Sequence, residues 1–231
     1  MSRRINSDFD ELNTFLSNYI IPTDSFPSTQ IKSYKAMHKK LFGFLIFCGE
    51  FKIQKINQKQ SAFLDEVSSD LLLAFFCVTQ GMYKPAKLLL RCCIENYFKV
   101  LLLTHDEKVI CDKSVFLIFD MAKEDIFSLT DYGTKCFDLL YNNYKILCRT
   151  VHGDPATMQP IKALAFLPKY NEMAHKEFTD IYIKTVETCL GFLYLKYPMI
   201  IDNMHPQNRK DFLDCLSKST KGIIVNTLYS E

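Results

Sequence analysis

Apolar residues recur along this chain at helical spacing, in long blocks separated by short polar or proline-containing breaks. The densest block, SDLLLAFFCVTQGMYKPAKLLLRCCIENYFKVLLL, starts at Ser69 and predicts two nearly all-apolar helices, 61–81 and 85–103. Gly81 suits the left-handed position after a helix end, and Pro85 sits where the first turn of a new helix accepts it. In the second of these helices Ala86, Leu89, Leu90, Cys93, Ile94, Tyr97, Phe98, Leu101 and Leu102 form an unbroken stripe. The expectation is a buried antiparallel hairpin at the centre of an all-α bundle.

The remaining blocks read the same way. Phe9, Leu12, Phe15, Leu16, Tyr19 and Ile20 mark a first helix, closed by Pro22 and Pro27. A second runs over 30–58, with Gly43 and Gly49 as places where it bends or splits. A short helix over 115–127 precedes one over 132–152, which Gly153, Asp154 and Pro155 terminate. Residues 156–170, with Pro160 and Pro168, read as a long loop of the kind that tends to be functional. A helix over 171–197 stops at Pro198, and 206–216 is a last amphipathic helix. The only strand-like run of any length is IIVNTLY, from Ile223. One all-α domain over 1–231 is expected, with an N-terminal helix and linker (1–28), a core (61–198) and a C-terminal helix and tail (206–231).

Composition supports long elements with few turns, since 231 residues contain only 7 Gly and 8 Pro. Twenty-eight basic against 26 acidic residues leave a net charge of +2, so no global field draws the chain to nucleic acid or anionic lipid. The lysines at 32, 35, 39 and 40 read as a solvated helix face. Nine cysteines without a C-x-x-C pair, most of them in apolar runs, imply structural thiols in a reducing, cytoplasmic setting. No apolar run approaches the roughly 20 residues of a membrane span, and no secretory leader is read at the N-terminus. Metal-ligand spacings, phosphate-cradling glycine loops and a G-x-S-x-G elbow are all absent, so no metal and no cofactor is expected.

Two places concentrate polar chemistry. Arg91 and Glu95 lie one turn apart on an apolar flank, where either charge alone would be costly to bury. They are either a structural ion pair or a site pair, with Glu95 orienting a base and Arg91 holding a phosphate or carboxylate. Asp138, Tyr141, Lys145, Cys148, Arg149 and His152 fall on one stripe of the 132–152 helix, beside an apolar stripe of Leu140, Tyr144, Leu147 and Val151. Arg91, Tyr141 and Lys145 are candidate binding residues. Arg149 and His152 suit phosphate chemistry, with the imidazole as base, and His152 equally suits a cationic cap at a helix C-terminus.

The L-L-R-x-x-I-E of the hairpin followed by Y-x-x-L-C-x-x-V-H-G resembles prokaryotic HEPN-like helical domains, over about residues 63–197. The resemblance implies a helical bundle that often dimerises. Many members are ribonucleases of toxin, antiphage defence or RNA-processing systems, with a catalytic Arg and His four to six residues apart. By that resemblance Arg149 and His152 take the catalytic roles and Glu95 the polar partner role. Only Thr150 and Val151 separate Arg149 from His152, a spacing shorter than the family's. Two functions are therefore carried forward. One is a non-catalytic interaction subunit with a protein partner or a second copy of itself, and the other is a ribonuclease acting on RNA.

Overall fold

The computed structural model describes residues 3–17, 30–54, 57–104, 114–151 and 169–229. Ten α-helices and no strand occur among them: α1 (Arg3–Ser17), α2 (Ile31–Ile53), α3 (Gln58–Thr79), α4 (Tyr83–Leu102), α5 (Val115–Asp125), α6 (Asp131–Val151), α7 (Glu172–Lys196), α8 (Pro198–Asp202), α9 (Pro206–Cys215) and α10 (Lys218–Tyr229). A 3₁₀ turn at Phe127–Leu129 joins α5 to α6. The all-α class read from the hydrophobic spacing is the fold observed.

The α3–α4 hairpin is the most extensive packing in the molecule. Its turn is a Schellman motif: the Met82 amide donates to the Cys77 carbonyl at 2.8 Å, and the Gly81 amide to Val78 at 3.1 Å. Gly81 has φ +71°, and a Cβ there would lie 2.5 Å from the carbonyl oxygen of Lys169, so both conformation and space demand glycine. Asn57 caps α3 by accepting from the amides of Lys59 and Gln60, and Asn171 caps α7 by accepting from Ala174.

Around the hairpin, α2 packs on α3, α6 on α4, and α7 closes the bundle against α2, α4 and α6. Leu90, Ile94, Tyr97, Phe98 and Leu101 of α4 are fully buried in the central hydrophobic cluster. Each such side chain contributes roughly 1.5 to 3 kcal/mol by leaving water. Buried polar groups are paired across helices: the Tyr97 hydroxyl donates to the Cys189 carbonyl, Tyr182 to Leu71, and the Asn143 amide to the Thr185 hydroxyl at 2.9 Å. The hairpin is not wholly buried, because Leu72, Leu73 and Leu88 on its outer surface remain 42 to 47% exposed.

Several elements differ from the sequence expectation. α2 is continuous, because Gly43 lies under Cys215 and Leu190 while packing on both sides holds the helix together. α1 begins at Arg3 rather than near Phe9. The strand-like IIVNTLY is helical within α10, where Ile224 is fully buried and Leu228 packs on the core. Tertiary burial one helical turn apart overrides β-branched preference there. Pro198 ends α7 and at the same time opens α8. The 156–168 loop and His152 lie outside the described residues. The eight described cysteines are free thiols, six of them buried, and no described helix is long and apolar enough to cross a membrane.

Candidate functional site

α4 and α6 meet along a line where the sequence placed Arg91 and Glu95 on one helix and Tyr144 on the other. Arg91 Nη2 lies 3.0 Å from Glu95 Oε1, as the spacing of one turn allows. Both side chains are just under one-fifth exposed, so the pair sits at the edge of the core rather than within it. Elsewhere on α4, Leu88 is exposed, whereas Phe98 and Leu102 are buried.

The partner from the neighbouring helix is Tyr144. Its hydroxyl donates to Glu95 Oε1 at 2.9 Å and accepts from Arg91 Nη2 at 3.2 Å. The Arg91 guanidinium also lies 5.4 Å from the Tyr144 ring centroid, a cation–π distance. Burial, the Glu95 charge and a contact with Cys148 together push the Tyr144 hydroxyl well above its ordinary range, so it stays a neutral donor. For Arg91 burial acts against the charge, but the hydrogen bond to Tyr144 and the proximity of Glu95 outweigh it and keep the guanidinium charged. Three groups thus close a network on themselves. Spacing alone assigned Tyr144 to an apolar stripe, since its aromatic ring fits one and its hydroxyl acquires a role only when α4 is beside it.

Beside the pair, Asp70 of α3 accepts from the Asn96 side chain at 3.1 Å. Burial first, then the Glu66 and Glu95 charges, raise its carboxyl to about 6. The other candidates form a second group on α6. Tyr141 stacks on Phe137 with ring centroids 5.6 Å apart, and Lys145 Nζ sits 4.3 Å over the Tyr141 ring. Arg149 is exposed on the last turn of α6. The structure therefore joins Arg91 with Glu95, and Tyr141 with Lys145, as two separate contacts. Among the described residues, no group of three or more His, Cys, Asp or Glu is arranged to hold a metal ion.

Comparison with protein-family models, with curated proteins and with solved structures gave no match.

Proposed function

We propose that this chain is a non-catalytic, HEPN-like helical interaction subunit of a bacterial defence or toxin-type system, working in the cytoplasm and docking a protein partner or a second copy of itself. The observation that carries this reading is the engagement of Glu95. Its carboxylate is taken up by Arg91 and Tyr144, so it acts as a brace between α4 and α6 rather than as the orienting group of a base. Exposed Leu72, Leu73 and Leu88 on the hairpin and Ile146 on α6 supply apolar contact area.

The alternative is a ribonuclease using Arg149 and His152. It is favoured by the exposed Lys145 and Arg149, one turn apart on α6. Purified protein incubated with RNA separates the two. We expect no cleavage, and light scattering that reports association weakened by Leu73→Glu and Leu88→Glu. RNA cleavage lost in His152→Ala, with the melting temperature unchanged, would overturn the interaction reading.

A further inference from the structure

The first turns of α1, the C-terminal half of α2 and α9 line an open cleft of about 280 Å³. One wall is apolar, formed by Phe42, Ile46 and the largely exposed Ile53 of α2. The other is polar and carries Arg4, Asp8, Glu50 and Asn208. Its charge is unbalanced, because Asp8 and Glu50 line the cleft with Arg4 as the one cation among the lining residues.

The Arg4 guanidinium lies over the Phe42 ring, 5.7 Å from its centroid. Its Nη1 donates to Asn208 Oδ1 at 2.7 Å and approaches Asp211 Oδ2 at 3.6 Å. Asp8 faces His38, whose ring burial holds its pKa down despite the carboxylate, so no cation is gained there. Glu50 is only 4% exposed, and Oε1 accepts from the neutral Asn208 amide at 2.6 Å. Behind Asn208, the wholly buried Asp211 keeps Oδ1 without a hydrogen-bond partner among the described residues. Buried carboxylates without a full complement of cations are an incomplete constellation.

Gly49 supplies a second, independent observation. It lines the cleft from within α2, and a Cβ there would meet nothing within 4 Å. No close approach requires this glycine, and a helix-interior glycine costs stability relative to alanine. Its effect is to keep open the space between the apolar wall and Glu50.

We propose that this cleft binds an alkylammonium group, with its aliphatic stem on Ile46 and Ile53 over Gly49 and its cationic head on Glu50 and Asp8. Such a group comes either from a free amine or from a lysine side chain. Calorimetric titration of the full chain with pentylamine, pentanol and pentanoate tests the chemistry. Saturable binding of pentylamine alone is expected, weakened about ten-fold or more by Glu50→Gln and abolished by Gly49→Leu, which fills the space. Cadaverine and a lysine blocked at both ends then distinguish the sources by which binds more tightly. No saturable heat, pentanol binding as tightly as pentylamine, or unchanged binding in the folded Gly49→Leu variant would each overturn the proposal. Gly49→Leu keeps the test decisive if Glu50→Gln fails to fold, because its side chain projects into open space.

Discussion

The α4–α6 edge and the α1–α2–α9 cleft are both built from charged residues against an apolar wall, yet they end in opposite states. At the first, Arg91, Glu95 and Tyr144 satisfy one another within 2.9 to 3.2 Å. At the second, Glu50 and Asp211 are more deeply buried, but one cation serves the lining and one oxygen of Asp211 has no partner among the described residues. A closed polar network fixes how helices pack, whereas an incomplete one leaves interaction free energy for something else to supply. Residue types alone do not distinguish the two. The geometry of the acceptors does.

The comparison breaks most visibly at Glu95. Removing it as Glu95→Leu leaves Arg91 with Tyr144 alone, and the expected loss is about 2 to 3 kcal/mol, less than for a fully buried pair because both groups keep some water. The double variant Arg91→Leu, Glu95→Leu should be closer to the parent than the single one. Urea denaturation of the parent, the single and the double variant checks this order, and a double variant that loses the sum of two independent costs would show that the groups do not form a network.

How much of this was legible beforehand depended on whether the signal was local. The hairpin was readable because Gly81 and Pro85 punctuate it, and the long 171–197 helix because Asn171 and Pro198 bracket it; the observed α7 is Glu172–Lys196. The Arg91–Glu95 pair was readable because one turn of one helix holds both residues. Tyr144 was not, since its hydroxyl matters only across a helix interface. The helical state of IIVNTLY was likewise hidden, because burial of Ile224 decides it and burial is a property of the assembled bundle. The cleft was beyond reach for the same reason: Arg4, Glu50 and Asn208 come from three distant segments. Gly49 did leave a trace, read as a bend, although its backbone is ordinary helix.

A smaller effect sharpens the α4 side of the comparison. Asp70, next to the network, has a folded pKa raised to about 6 by burial and by Glu66 and Glu95. The unfolded value is about 3.9. The folded state therefore binds more protons between these values, and Asp70 stabilises when protonated, a contribution complete below about pH 3.9 and lost as pH rises toward 6. Above that window its charge is a net cost. Asp70→Asn keeps the contact with Asn96 and removes the charge, so it should stabilise the protein by about 1 to 2 kcal/mol at pH 7 and hardly at all at pH 4. Denaturation midpoints across that range report the difference, and equal effects at both pH values would show that Asp70 is comfortably ionised.

The smallest effect lies on the cleft side, at Gly49. In a helix interior, alanine is favoured over glycine by about 0.5 to 1 kcal/mol, because glycine loses more backbone freedom on folding. That gain is forfeited only where a Cβ collides or where φ is positive. Neither holds at Gly49, whose Cβ position is open and which lies inside the regular α2 helix. Gly49→Ala should therefore raise the melting temperature slightly, while one extra methyl group intrudes on the cleft and weakens pentylamine binding. Stability and binding moving in opposite directions is the outcome expected of a glycine that keeps a site open. A fall in both would instead mark Gly49 as a packing residue, and the contrast between a completed network and a receptive one would no longer extend to α2.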